Sequence, residues 1–288
     1  MNRLKGKTVL ITGATSGIGK AVVELLLKSN VDVIGLGRNQ DRIDQVIKEF
    51  APYTETANLD FVLGDLSDNR QTKLAAQNLM TLLNQKYNGK IDILMNIAGI
   101  VSTGYHENED GNEITFAVNH LAVFHLTYYF YPLLQKTKDS RIFVVSSYSH
   151  YWSSVNWRNP QSKRFYNVLK GSKHSKLYNV FFVKEFARKH QDVKIYAIDP
   201  GLVNTEIGTK KTSGLINWVW NLRRGKGTDA YYPTKFMVDV ALKPEYLNQS
   251  GHYLKEGKSI APSKKSESES DAKKLWKYSE ELLQITFE

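Results

Sequence analysis

An α/β fold, with a parallel sheet covered by helices on both faces of a single domain, is what this 288-residue sequence predicts, on three observations. Short apolar runs alternate with stretches of helical periodicity along most of the chain. A glycine-rich turn joins the first run to the first helical stretch. Polar residues able to do chemistry gather just after several of the apolar runs, where ligands bind in open α/β sheets.

The elements follow in order. Thr8 to Thr12 reads as a strand, and Gly17 to Lys28 as a helix carrying Ile18, Val22, Leu25 and Leu26 at helical spacing. A strand at Val31 to Leu36, a helix at Asp41 to Phe50, a strand at Leu59 to Leu63, a helix at Asn69 to Tyr87 and a strand at Ile91 to Met95 continue the alternation. One long helical pattern from about Asn112 to Leu134 precedes the strand Ile142 to Val145, and a helix ending near Lys189 precedes the strand Val193 to Ile198. Strands that are apolar throughout are buried on both faces, which is the signature of parallel strands under helices. After Pro200 the pattern loosens into a Lys-, Arg- and Trp-rich insertion at 208–227, read as a substrate lid. A helix near Asp229 to Leu242, a short strand near Tyr253 and a C-terminal helix over 271–284 complete the reading. The SESES run inside Lys264 to Lys274 is a solvated helix entry, so residues 1–288 are read as one domain.

Composition removes several function classes. The chain has no cysteine, which excludes disulfides, thiolate metal sites and cysteine nucleophiles and suits a reducing compartment. Its longest apolar stretches, such as Ala21 to Leu27, are interrupted by Glu24 and fall short of the ~18 residues that a spanning helix needs. With no secretory signal after Met1, a cytoplasmic location is expected. The seven histidines show no metal-ligand spacing, so no metal is expected, and His174 is expected at the surface. A net charge of +10 favours anionic partners: a phosphate-bearing cofactor, an acidic membrane surface or nucleic acid. Nucleic acid is set aside for want of a basic and aromatic stacking platform. In 208–227, Leu215, Trp218, Val219 and Leu222 recur at helical spacing between Lys210, Lys211, Arg223, Arg224 and Lys226. That pattern suits a peripheral contact with an anionic membrane, or equally a lid or dimer contact without lipid.

The first turn reads TGATSGIG, placing Gly13, Thr15, Ser16, Gly17, Ile18 and Gly19 between strand and helix. Glycines allow the backbone to approach a pyrophosphate, and the helix N-terminus offers it free amides. Asp65 and Leu66 follow the third strand, Asn96 to Gly99 (NIAG) the fourth, Ser146 and Ser147 the fifth, and PGLVNT from Pro200 to Thr205 the sixth.

As a set these motifs resemble the short-chain dehydrogenase/reductase family. VSSYSH, RFYN, HSKLYNVFF, PGLVNTE, SGHYL and KKLWKYSEELL are similar to its retinol dehydrogenase-like branch, and the resemblance spans essentially the whole chain. It implies a Rossmann-type doubly wound sheet and a bound NAD(P). The implied cofactor residues are Gly13, Thr15, Ser16, Gly17, Ile18 and Gly19 at the phosphates and Asp65 and Leu66 at adenine. Asn96, Ala98 and Gly99 would stand along the adenosine, Lys176 at the ribose, and Pro200, Gly201, Val203 and Thr205 toward the nicotinamide. The second Asn of the family's NNAG motif is Ile97 here, at the expected cost of one supporting hydrogen bond. At the end of the second strand a carboxylate would select NAD, but Gly37 stands there and Arg38 follows, which favours NADP(H) over NAD(H). The family also implies an apolar carbonyl or alcohol substrate of retinoid, steroid or lipid type, and association through the long helices, such as a homodimer.

The catalytic set departs from the family. Asn119, Ser147 and Lys176 match its water-relay Asn, its Ser and its Lys, but the position of its Tyr is Ser172. One helical turn places residues i and i+4 side by side, which is how a Lys lowers the pKa of a Tyr from about 10. Tyr148 and Tyr151 beside Ser147 are the nearest substitutes. Tyr166 is excluded unless the helix starts late and the chain folds back, and Tyr178 by its different helix face. The residues therefore leave two readings open: an oxidoreductase in which Ser172, Ser147 and water replace the phenol, and a silent NADP(H)-binding sensor or interaction module.

Overall fold

The computed structural model describes residues 6–201 and 231–288. Its strands are β1 (Thr8–Thr12), β2 (Asp32–Gly37), β3 (Leu59–Leu63), β4 (Ile93–Asn96), β5 (Arg141–Val145), β6 (Lys194–Asp199), β7 (Tyr253–Lys255) and β8 (Lys258–Ile260). They form one sheet in the order β3-β2-β1-β4-β5-β6-β7-β8, parallel throughout except for the final antiparallel pair. The order reverses between β1 and β4, and the crevice at such a switch point is where a doubly wound sheet takes its ligand.

The helices are α1 (Gly17–Leu27), α2 (Gln40–Phe50), α3 (Asn69–Lys86), α4 (Ala122–Leu134), α5 (Val168–Lys189), α6 (Tyr231–Leu242) and α7 (Glu269–Leu283). Successive strand residues point to opposite faces, so each strand feeds two cores. Val9, Ile11, Val33, Ile93, Met95 and Phe143 pack under α1, α2 and α6. Leu10, Ile34, Leu94, Ile142 and Val144 pack under α3, α4, α5 and α7. The second core is closed by Phe287, 3 % exposed, whose ring lies 5.1 Å from both Trp276 and His190. Side-chain caps start several helices: Asn39 accepts from the Arg42 amide at 2.9 Å, Asp68 from Gln71 at 2.8 Å and Asn167 from Leu169 at 2.9 Å.

Three expectations are revised. The helical pattern from Asn112 is not one helix. The Glu113 carboxylate caps a short turn, accepting from the amides of Thr115 at 2.9 Å and Phe116 at 2.8 Å, and a π-helical turn over Ala117–Leu121 precedes α4. A π turn adds a residue to the helical repeat, a change that apolar periodicity does not reveal. Strand β8 escapes the sequence pattern because it has three residues and is joined to β7 by Glu256 and Gly257, both at positive φ (51° and 74°), a hairpin pair without the usual Asn-Gly or Asp-Gly signal. His174, expected at the surface, is 7 % exposed, with Nδ1 3.1 Å from the Ser162 hydroxyl. Burial wins because one whole face of α5 packs inward.

The insertion at 208–227, and with it the amphipathic pattern, lies outside the described residues. Among the described residues, no helix is long and apolar enough to cross a membrane, and no group of His, Asp and Glu side chains could hold a metal ion.

Buried histidines make stability depend on pH. Loss of hydration pushes His120, His125, His174 and His190 down to about 4 in the fold. An unfolded histidine titrates near 6.5, so between these values the unfolded chain binds more protons. The histidine contribution should be flat above pH ~6.5, and stability should fall from there toward pH 4, each fully neutral site contributing on the order of 1–2 kcal/mol. Urea midpoints at pH 7.5, 6.0, 5.0 and 4.5 check this, and a constant midpoint contradicts it.

Candidate active site

The glycine turn after β1 is dictated by contact distances. A Cβ on Gly13 (φ 71°) would stand 3.0 Å from Ala98 Cα, and one on Gly19 would stand 2.2 Å from the Gly13 carbonyl oxygen. No side chain larger than hydrogen fits at either place. Ser16 is extended and gives α1 no side-chain cap, which leaves the helix amides of Gly17, Ile18 and Gly19 directed outward beside Thr15. Thr12 Oγ1 accepts from both the Ile97 and Ala98 amides at 3.0 Å, tying the turn after β4 to the end of β1. Ile97 itself packs into the core at 9 % exposure. The missing second Asn is therefore replaced by an apolar contact, while the backbone of the turn is held by Thr12.

Asn96 is the feature that most clearly asks for a ligand. Its side chain is 2 % exposed, and neither its Nδ2 nor its Oδ1 has a partner among the described residues. Native structures rarely leave both ends of a buried amide unpaired. Beyond it, Arg38, Leu63, Asp65 and Leu74 line a cavity of about 270 Å³ at the ends of β2 and β3. Asp65 accepts from the Ser67 amide at 2.9 Å, which fixes the turn, and Leu66 is half-buried against the core. A Cβ at Gly37 would come within 2.7 Å of Thr15 Cγ2, so a side chain at position 37 would have to displace Thr15, and Arg38 is the basic group at this end.

At the other end of the crevice, α5 is stitched to the end of β5. Lys176 Nζ and Asn179 Nδ2 both donate to the Val145 carbonyl at 3.0 Å, and Ser146 Oγ donates to the Lys176 carbonyl at 2.8 Å. Asn119, in the π turn, accepts from the Ile100 amide at 2.8 Å and donates to Ser175 Oγ at 3.1 Å, one residue before Lys176. Ser147 caps the 3₁₀ turn Tyr148–Trp152, and its carbonyl takes the Nδ1 proton of His150 at 2.8 Å. His150 Nε2 in turn accepts from the Ser263 amide at 3.0 Å, which sets the tautomer. Asn119, Ser147, Lys176 and, one turn earlier on α5, Ser172 thus share one end of the sheet. Burial pushes the Lys176 ammonium down to about 8, and the Asp199 carboxylate limits the fall.

The sequence did not single out Asp199, Thr12, His150 or Asn179. Asp199 ends β6 at 1 % exposure, accepting from the Tyr253 hydroxyl at 2.6 Å and the Gly201 amide at 2.8 Å. A single acid closing an apolar strand, directly before Pro200, was the available signal. Val203 and Thr205 lie outside the described residues.

The tyrosines sort by their partners. Helix α5 does start late, at Val168, and Phe165 at φ 58° folds the chain back. Tyr166 consequently lies over Gly171, where a Cβ would be 2.8 Å from its hydroxyl, and it donates to Glu113 Oε1 at 3.1 Å. Burial raises its pKa, so it stays a phenol in a structural contact. Tyr178 donates to the Pro160 carbonyl at 2.6 Å and Tyr151 to that of Ala261, while Tyr148 is exposed.

A glycine turn under a helix N-terminus, an unpaired buried Asn and a Ser–Asn–Lys group at the carboxyl ends of parallel strands fit a dinucleotide. The short chain dehydrogenase family model matches residues 7–215, and the chain belongs to that family. Retinol dehydrogenase 14 of Homo sapiens is 31 % identical over 97 % of this chain and 87 % of its own length. Retinol dehydrogenase 12 of Mus musculus is 30 % identical over 99 % and 89 %. Among solved structures, angucycline C-6 ketoreductase LanV with bound NADP superposes with a TM-score of 0.69 at 20 % identity, over 88 % of this chain and 95 % of that one. A short-chain dehydrogenase/reductase from Serratia marcescens gives 0.67 at 20 % identity, over 88 % and 97 %. These two share the fold.

Thr12→Val removes the acceptor of the Ala98 amide and one of two acceptors of the Ile97 amide, which keeps the Met95 carbonyl at 3.1 Å, and at nearly constant shape should cost about 1 kcal/mol. Thr12→Ser should recover most of it, as read by urea unfolding. Equal midpoints for the Val and Ser variants would contradict the bridge.

Proposed function

We propose that the protein is an NADP(H)-dependent oxidoreductase that interconverts an apolar carbonyl compound and its alcohol. The observation that carries the reading is the group Asn119, Ser147 and Lys176 at the carboxyl end of β5, where Lys176 donates to the Val145 carbonyl and Asn119 to the neighbouring Ser175 hydroxyl. The retinol dehydrogenases among its relatives support an apolar substrate. So do the exposed rings of Tyr148 and Trp152 directly beside Ser147.

Gly13, Gly17, Ile18 and Gly19 would hold the pyrophosphate with Thr15 and Ser16. Arg38 would meet the 2′-phosphate, Asp65 and Leu66 the adenine, and Asn96, Ala98 and Gly99 the adenosine. Lys176 would meet the ribose, and the loop that starts at Pro200 and Gly201 the nicotinamide. When bound, that cofactor supplies or accepts the hydride. Ser147 then holds the substrate oxygen by a hydrogen bond, Asn119 anchors water behind Lys176, and Ser172 leaves the space of a phenol to water. A serine hydroxyl is a far weaker acid than a phenol, so the proton transfer is the slow part.

Two experiments test this. Arg38→Asp should reverse the order of affinities so that NADH binds more tightly than NADPH, read by nicotinamide fluorescence. Equal affinities for the two cofactors in the unmutated protein would refute the NADP(H) assignment. Ser172→Tyr should raise NADPH oxidation with a panel of apolar aldehydes and ketones by about 10² or more, the usual size of general acid catalysis, with little change in cofactor affinity. If neither chain turns over any carbonyl while both bind NADPH, the second reading, a dinucleotide-binding module, replaces the first. Ser172 is the observation that favours it.

A further inference from the structure

Asp199 is an acid with its polar atoms committed and its charge still facing the active site. Its two carboxylate oxygens are taken by Tyr253 and by the Gly201 amide, which fix the group at the end of β6. In the β5–β6 ladder Val145 pairs with Ile198, and the Ser146 amide donates to the Ile198 carbonyl at 2.8 Å. Asp199 is therefore one residue from the partner of the very carbonyl on which the Lys176 ammonium rests. Its field reaches Lys176, His150, Tyr151 and Tyr253. On the side of β5, β6 and β7 the titratable groups around Lys176 also include the exposed Tyr148 and Lys255, which pairs with Asp199 in the β6–β7 ladder and carries its ammonium away over the Tyr148 ring, 5.4 Å from its centre. Across the helix, His120 is turned away into contacts with Asn179 and Ser279, and His174 with Ser162.

We infer that Lys176 is itself the proton donor in carbonyl reduction, and that Asp199 is the positioning residue whose charge keeps it protonated. The inference rests on the oxidoreductase reading and deepens it. A serine at position 172 places no acid between the substrate oxygen and the ammonium one turn further along α5. The balance is simple. The hydride brings both electrons to the carbonyl carbon, the π pair passes to the oxygen, and the oxygen takes one proton from Lys176 Nζ, relayed by the water beside Ser172. Lys176 is left as a neutral amine that water reprotonates. An ammonium that titrates near 8 has enough acidity for this and is charged at neutral pH. Without the carboxylate, burial alone would push it lower.

The pH dependence of Lys176 acetylation by trace acetic anhydride, read by mass spectrometry on the free protein, measures this ammonium without any turnover. The midpoint should lie near 8. Asp199→Asn should lower it by about one unit or more, the scale set by a neighbouring opposite charge. Tyr253→Phe also breaks the 2.6 Å hydrogen bond but keeps the carboxylate, and should leave the midpoint in place. Reductase activity in the unmutated protein should decline with rising pH at the acetylation midpoint. In the Asp199→Asn protein that limb should move by the same amount. An acetylation midpoint that Asp199→Asn does not move, or that Tyr253→Phe moves equally, overturns the pairing. An activity limb that does not coincide with the Lys176 midpoint overturns the donor role, as does loss of turnover in Tyr166→Phe or Tyr151→Phe with the Lys176 midpoint unchanged. If Asp199→Asn does not fold, the coincidence in the unmutated protein still decides the donor. No turnover by either the unmutated or the Ser172→Tyr protein overturns the reductase reading and the donor role with it, an outcome that acetylation distinguishes from failure of the pairing.

Discussion

The Val145 carbonyl accepts hydrogen bonds from Lys176 and from Asn179, both at 3.0 Å, and the geometry of the candidate active site depends on it. A carbonyl at the end of a parallel strand has a lone pair left once the ladder stops, and here two side chains from successive positions on one helix face use it. The return bond from Ser146 Oγ to the Lys176 carbonyl closes the contact in the other direction. Helix α5 consequently cannot slide or turn relative to β5. Ser147, which follows two residues after Val145, inherits its position from the same contact, and His150 braces it from the far side.

The rest of the crevice obeys a different constraint, close approach of backbone to backbone. Gly13, Gly19 and Gly37 are each within 3.0 Å of atoms that a Cβ would strike. Under the proposed function the glycine at 37 has a chemical consequence as well as a steric one, since it places no carboxylate against a 2′-phosphate and leaves Arg38 as the basic group beside it. The two ends of the site are thus shaped by unlike forces, packing at the glycine side and buried hydrogen bonds at the lysine side. The unpaired amide of Asn96 lies between them.

Under the proposed function, a serine at position 172 bears on the electrostatics of the site more than on its architecture. The contacts that hold Asn119 and Lys176 are in place, and the Asp199 carboxylate acts on the lysine. A buried ammonium with a counter-charge at the end of the neighbouring strand sits close to its own titration point, a state suited to moving a proton.

By itself the sequence determined the layered architecture, because apolar strands with a period of two and helices with a period near 3.6 have one economical way to bury their faces. It also determined the glycine turn, since glycine spacing speaks directly about space, and it pointed to Ser172 as the departure from the family pattern. Tertiary structure alone decided the π turn that carries Asn119, the burial of His174, the fold-back that commits Tyr166 to Glu113, and the approach of Asp199 to Lys176. Each of these depends on which residues from distant parts of the chain meet in a region of low polarity. Local periodicity carries no record of that, whereas burial and hydrogen-bond partners in the folded chain set it completely.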